Sequence, residues 1–367
     1  MTIKKYKKVI VAMSGGVDSS ISAWMLKKQK YKVEGLFMKN WEEDDEKGYC
    51  NSTQDLYDAR NVCKKLNIYL HTINFSTEYW EQVFENFLYE HKQGNTPNPD
   101  ILCNKKIKFN LFFNYALKEL EADYIATGHY ARIKKINRRY VLLKGIDLNK
   151  DQSYFLYTLT EVKLKKILFP IGNLIKTQVR SIAKKINLKV AEKKDSTGIC
   201  FIGPKKIKKF LSLYITEKKG NIITTDGKVI GEHNGIFYYT LGQRKGLGIG
   251  GIKDKYNIPW YVIEKNLKKN TLTVAQGSFN KSLMSIGLIA KNIHWINNQV
   301  SFPISCMVKT RYRQKDIMSN IECINNKYIK IIFDQPVRAV TPGQSVVFYL
   351  SEKCIGGGII KSRLPLL

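Results

Sequence analysis

The residues best suited to chemistry are one glycine-serine run and two cysteines. Ser14, Gly15, Gly16, Val17, Asp18, Ser19 and Ser20 lie between an apolar run at 9–13 and the helical spacing of Ile21, Trp24 and Met25. Paired glycines let backbone N–H groups close around phosphate oxygens, the hydroxyls add donors, and the helix N-terminus adds favourable partial charge. The run reads as an anion cradle, with a glycine turn before a capped helix as the plain alternative. It lacks the lysine of GxxxxGK[ST], which disfavours a Walker-type NTPase.

Cys103 follows Asn98, Pro99, Asp100, Ile101 and Leu102 and precedes Lys105 and Lys106. The prolines at 97 and 99 predict an extended approach, with a helix from about 104 to 121. A thiol near a helix N-terminus with lysines close by favours the thiolate and makes a usable nucleophile. Asp100 is near enough in sequence to relay protons. Cys200 lies in DSTGICF, a turn-rich stretch after Lys193 and Lys194. A thiol there could carry a sulfane sulfur and meet a second thiol. Taken singly, each cysteine reads first as a buried small hydrophobe, the reading kept for Cys50, Cys63, Cys306, Cys323 and Cys354. No two of the seven form a CxxC pair, which excludes a zinc ribbon or a local dithiol. Four of the five histidines form no cluster with metal-ligand spacing, and no resident metal, zinc or iron–sulfur cluster is expected. His129, beside Gly128, stays open between a structural and a catalytic role.

Lys and Arg number 61 against 31 Asp and Glu, a net charge of +30. Such a field attracts polyanions such as nucleic acid, although lysine spread along the whole chain also fits a biased composition. In Arg311, Tyr312 and Arg313 two guanidiniums flank a ring, suited to phosphates and to stacking on an unpaired base; a solvated strand face is the equal alternative. Asp151, Gln152, Ser153 and Tyr154 offer amide and carboxylate groups that could read a base edge, with a plain polar turn as the favoured alternative, and 242–246 (GQRKG) looks like a backbone-contacting loop.

Several elements must position these groups. Short β-rich runs at 9–13, 33–38, 69–75 and 124–127 alternate with helical patterns at 56–66, 79–91 and 104–121, which predicts an α/β fold with a parallel sheet covered on both faces and ligands at the carboxyl ends of its strands. A hairpin at 131–146 and a helix at 174–186 follow. Glycine-punctuated strands fill a small, mostly β central domain of open topology, and runs at 304–311, 328–333 and 345–350 predict a small antiparallel barrel. The expected domains are 1–205, 206–280 and 281–367. The apolar run 9–13 is too short for a signal-peptide core and no stretch approaches a membrane span, so a soluble, cytoplasmic protein with no membrane partner is expected.

The SGGxDS loop resembles that of the PP-loop ATP pyrophosphatases, whose members cut ATP between its first two phosphates and leave AMP on a substrate oxygen. AMSGGVDSS, GLFMKNWEEDD, TPNPDILCNKKIKF, ADYIATGHYARI, NKDQSYFLYTL, KKDSTGICFIG, YTLGQRKGLGIGG, VKTRYRQ and TPGQSVVFY run in the order of one family's segments. From the N-terminus to the final GGGII the chain resembles the bacterial-type tRNA-specific 2-thiouridylases. The resemblance implies an ATP loop of Ala12, Met13, Ser14, Gly15, Gly16, Val17, Asp18 and Ser19, with Met38 and Gly128 also touching the nucleotide. Asn98, Pro99 and Asp100 would face the target base. Cys103 would be the nucleophile and Cys200 the persulfide carrier, the two forming a transient disulfide. Lys150, Asp151, Gln152, Arg311 and Tyr312 would contact tRNA at its anticodon stem-loop. ATP with Mg2+, a sulfur-relay protein fed by a cysteine desulfurase, and a monomer are further implications. The competing readings are another PP-loop adenylating enzyme, such as an amide-forming synthetase or a tRNA-lysidine-type ligase, and a basic RNA-binding protein without catalysis.

Overall fold

The computed structural model describes residues 6–41, 51–195, 207–249, 258–297 and 300–366. The chain opens with β1 (Lys8–Ala12), α1 (Val17–Lys28), β2 (Lys32–Lys39), α2 (Asn51–Leu66) and β3 (Leu70–Asn74). Next come α3 (Ser76–Tyr79), α4 (Glu85–Lys92), α5 (Pro99–Cys103), α6 (Phe113–Lys118) and β4 (Tyr124–Ala126). A π-helical stretch, Trp80–Phe84, joins α3 to α4, and another, Asn104–Phe112, joins α5 to α6.

Val9, Ile10 and Val11 of β1 have no exposed surface. A continuous apolar run is what a strand covered on both faces requires, and β1 indeed sits at the centre of a sheet ordered β3-β2-β1-β4-β7, with β7 at Ile167–Leu168. Every pairing in it is parallel. The strand order reverses between β1 and β4, so the loops after these two strands flank the crevice where such sheets bind ligands. Those loops carry Ser14–Ser19 and Gly128. The expected α/β class and covered parallel sheet are therefore present.

The helix around Cys103 differs from expectation. It begins at Pro99, not at 104, because proline is tolerated at the first helical position, where its missing N–H has no partner to lose. The Asn98 side chain caps it, accepting from the Asp100 N–H at 3.2 Å. Cys103 thus lies a full turn inside the helix, and the helix-terminus argument for its thiolate weakens.

The hairpin β5 (Ala131–Ile136) and β6 (Arg139–Lys144) does not join the parallel sheet. α7 (Glu161–Leu164) and α8 (Lys176–Lys185) complete this half of the chain. Beyond α9 (Ile207–Leu211), a four-stranded sheet is built from β8 (Gly220–Ile223), β9 (Val229–His233), β10 (Trp260–Asn266) and β11 (Thr271–Gln276), with β11 and β8 parallel. β12 (Met284–Trp295), β13 (Ile304–Lys309), β14 (Ile317–Asn325), β15 (Tyr328–Arg338), β16 (Ser345–Leu350) and β17 (Lys353–Pro365) form the antiparallel barrel, closed by the pairing of β12 with β17. Val308, Ile321, Ile331, Val346 and Phe348 fill its core. Cys354 of β17 pairs with Leu142 of β6, which fastens the hairpin to the outside of the barrel.

Candidate active site

The phosphate loop is held open by its own backbone and by its neighbours. Gly15 has φ +70°, and a Cβ there would lie 2.2 Å from the Asp55 carbonyl oxygen, so only glycine fits. Gly128, after β4, packs on the loop from the other side; a Cβ on it would stand 2.7 Å from the Ser19 nitrogen. Ser19 Oγ donates to the Gly16 carbonyl at 3.1 Å and accepts from the Ser14 N–H at 3.3 Å. The hydroxyls expected to line the cradle therefore first define its shape.

A lysine reaches this loop from elsewhere in the chain. Lys176, first residue of α8, puts Nζ 2.8 Å from each carboxylate oxygen of Asp18 and 2.7 Å from Asp195 Oδ1. Tyr130 donates to Asp18 Oδ1 at 2.8 Å, while Lys150 and Arg180 also pair with Asp195, at 2.5 and 3.1 Å. Lys193 bonds the Gly15 carbonyl at 3.2 Å and the carboxylates of Asp55 and Asp58. Sequence reasoning read Lys176 only as part of a helix. A signal was present: a cation at a helix N-terminus opposes the macrodipole, so an external partner must hold it.

Cys103, Ala12 and Met38 contribute to one apolar cluster, with Cys103 only 3% exposed. Burial raises the Asp100 carboxyl above its ordinary range, and Lys108 partly offsets this. Burial and the same lysine hold His129 neutral. Its Nδ1 meets Thr127 Oγ1 at 2.7 Å and its ring packs between Phe109 and Phe169, a structural role. Asp100, Lys108 and His129 thus share one electrostatic neighbourhood beside Gly128.

The segments read as RNA contacts converge. The ring of Tyr312 lies 4.6 Å from that of Phe155, three residues after Gln152. Tyr312 is in a turn after β13 rather than on the strand expected to reach 311, since β13 ends at Lys309; Arg311 is exposed. Asp151 is buried, bonding the backbone N–H groups of Gly145 and Ser153, with Lys309 Nζ at 3.5 Å. Gln152 Oε1 accepts from the Tyr130 N–H at 2.9 Å. Lys150, Asp151 and Gln152 are all engaged within the protein, and Arg311 and Tyr312 offer the open face. Cys200 and its pairing with Cys103 lie outside the described residues. Among those residues no group of three or more His, Cys, Asp or Glu is arranged to hold a metal, and no helix is long and apolar enough to cross a membrane.

A glycine loop at the switch point of a parallel sheet, cradled by a lysine and carboxylates, defines a PP-loop ATP pyrophosphatase domain. Residues 7–204 match the family described as "tRNA methyl transferase HUP domain", 208–276 its "PRC-barrel domain", and 285–360 the "Aminomethyltransferase beta-barrel domain". The chain is 76% identical over 368 residues to the tRNA-specific 2-thiouridylase MnmA of Buchnera aphidicola subsp. Acyrthosiphon pisum, with both chains covered completely. It is 72% identical to that of Buchnera aphidicola subsp. Schizaphis graminum, again across both full lengths. It is 59% identical to that of Salmonella typhimurium, with 98% of each chain covered. The chain belongs to the family of tRNA-specific 2-thiouridylases.

Proposed function

We propose that this protein thiolates C2 of the wobble uridine, position 34, of tRNA at the expense of ATP. The observation that carries the reading is a glycine phosphate loop at the switch point of the parallel sheet, in a chain 76% identical across its length to a protein named for this activity. In the proposed sequence the uridine leaves the anticodon stack and its O2 attacks the α-phosphorus of ATP. The bond to the β-phosphate breaks, pyrophosphate leaves, and AMP remains on O2. The terminal sulfur of a persulfide on Cys200 then attacks C2, the C2–O2 bond breaks, and AMP departs. Cys103 thiolate attacks the inner sulfur of Cys200, forming a Cys103–Cys200 disulfide as the S–S bond to the transferred sulfur breaks. A dithiol supplies the two electrons that reopen it.

Mg2+, when bound, neutralises phosphate charge. The Asp18 carboxylate with the Ser14 and Ser19 hydroxyls is an oxygen donor set that suits an ion held largely by substrate phosphates. Asp100, with its carboxyl raised by burial, is suited to hold or pass a proton at the base. Exposed Arg311 and half-buried Tyr312 suit contact with the anticodon stem-loop. The persulfide would come from a sulfur-relay protein fed by a cysteine desulfurase, in the cytoplasm, with the enzyme acting as a monomer.

The test is incubation with unmodified tRNA, Mg-ATP and a persulfide donor, then mass spectrometry of the digested RNA. An ATP-dependent oxygen-to-sulfur exchange at the wobble uridine that disappears in Cys200→Ser, with pyrophosphate still released, is the expected result. Pyrophosphate without thiolation, even with every relay component added, would point to a different acceptor; neither product would leave a basic RNA-binding protein.

A further inference from the structure

We infer that Asn104 is a positioning residue for sulfur transfer, fastening Cys103 to the RNA-facing segments around Phe155 and Tyr312. The inference rests on the thiolation reading above. Asn104 follows Cys103 directly and is 3% exposed. Its Nδ2 donates to the Phe155 carbonyl at 3.1 Å, and the Phe155 ring lies 4.6 Å from that of Tyr312. A residue beside the nucleophile is thereby bonded to the place where the 150–155 and 311–313 segments meet.

The other half of the amide sharpens the case. Asn104 Oδ1 is buried and has no hydrogen-bond partner among the described residues. Exchanging the two amide atoms does not repair this, because the Phe155 carbonyl accepts and so must face the NH2 group. An amide that served only to bond the Phe155 carbonyl would gain nothing from a buried, unbonded oxygen, since an unmade buried bond is unfavourable. A half-satisfied amide instead fits a site that receives a donor with its substrate, here a base N–H or ribose hydroxyl of the RNA. Docking against Tyr312 would then move Phe155, Asn104 and Cys103 together.

The experiment compares wild type with Asn104→Leu, nearly isosteric and apolar, and with Asn104→Asp, which keeps the size and acceptor but loses the donor. Thermal midpoint, kcat and KM for an anticodon stem-loop RNA are measured for each, alone and combined with Tyr312→Ala. Asn104→Leu leaves the Phe155 carbonyl without its donor, so its midpoint should fall modestly, while kcat falls about tenfold or more, beyond what that loss of stability accounts for, and the double variant should lose less than the product of the single losses, because contacting residues couple. Asn104→Asp should show the same kcat loss, and it carries the test if the leucine variant does not fold. A kcat within about twofold of wild type, independent multiplying effects, or a kcat loss that simply tracks lost thermal stability would overturn the inference. A wild type that binds the RNA and ATP yet forms no thiouridine would overturn the reading beneath it, which no variant result alone would do.

Discussion

The ammonium of Lys176 stands 2.8 Å from both carboxylate oxygens of Asp18 and 2.7 Å from Asp195. One cation thus joins the phosphate loop to a residue five positions before Cys200. Sequence shows a loop without the Walker lysine; folding brings a lysine to it from α8. Bound ATP adds phosphate oxygens that compete with Asp18 for this charge. Lys176→Met should lower pyrophosphate release by roughly 10²-fold, the usual scale for removing one stabilising group from a reacting centre, with tRNA binding unchanged. Unaltered pyrophosphate release would mean that Lys176 only braces the fold.

Asp195 provides a pH signature. Burial alone would raise its carboxyl, but hydrogen bonds and charge from Lys150 and Lys176 outweigh this and hold it at about 2, below the usual 3.8. A carboxyl depressed in the folded state stabilises the fold fully above its unfolded value, and loses that contribution as pH falls through the folded one. The group is partly exposed, so the effect is about 1–2 kcal/mol at neutral pH. Urea unfolding of wild type and Asp195→Asn should differ by that amount at pH 7 and converge as pH approaches 2. A difference independent of pH would show that the ion pairs contribute nothing net.

What the sequence made legible was local. The βαβ alternation, the strand-turn-helix around Gly15, and strand β16 at 345–350 follow from periodicity and turn chemistry, which act over a few residues. Pairings across long separations were not legible. Nothing in 131–146 indicates that β6 pairs with β17, more than two hundred residues on. α5 starts at Pro99 rather than at the expected 104, because proline at the first helical position is compatible with a helix. Trp41, two residues past β2, packs with its ring centroid 5.9 Å from that of Phe210 of α9, a contact that no spacing encodes. The fold class was therefore readable from patterns, and the charged cradle around Asp18 only from tertiary structure.

Asp100 should trade stability for activity. Burial raises its carboxyl and Lys108 only partly offsets that, so the folded state binds the proton more tightly than the unfolded chain. Stability from this group is present at low pH and is lost as pH rises past the unfolded value and through the folded one. Asp100→Asn removes the penalty at neutral pH and keeps the shape. It should unfold at the same or a higher temperature than wild type at pH 7, while thiolation falls by about 10²-fold or more, the scale of general acid–base catalysis. The acid limb of the wild-type rate profile should lie above the ordinary carboxylate range and vanish in the variant. Full activity in a well-folded Asp100→Asn would remove Asp100 from proton transfer.

Gly343 tests how the barrel positions the segment leading to Asn98 and Asp100, which we propose faces the target base. Thr96, two residues before Asn98, donates its N–H to the Pro342 carbonyl at 3.0 Å and accepts at its carbonyl from Gln344 Nε2 at 2.7 Å, while its hydroxyl meets Thr240 Oγ1 at 3.1 Å. One threonine is thus tied both to the turn before β16 and to the chain beyond β9. Gly343 permits the approach: its φ is +90°, and a Cβ would lie 2.8 Å from Asn95 Cβ and 2.9 Å from the Thr96 nitrogen. Gly227, with φ +85° and nothing within 4 Å of an added Cβ, has the same backbone demand without the contact. Gly227→Ala should therefore lose only the conformational part, about 1 kcal/mol. Gly343→Ala adds a clash against backbone and should lose about 2–4 kcal/mol, with thiolation falling further than ATP affinity because the junction serves Asn98 and Asp100 and not the phosphate loop. Equal losses in the two variants would show that the 95–96 segment yields freely to the barrel, and that the junction does not set the position of the target base.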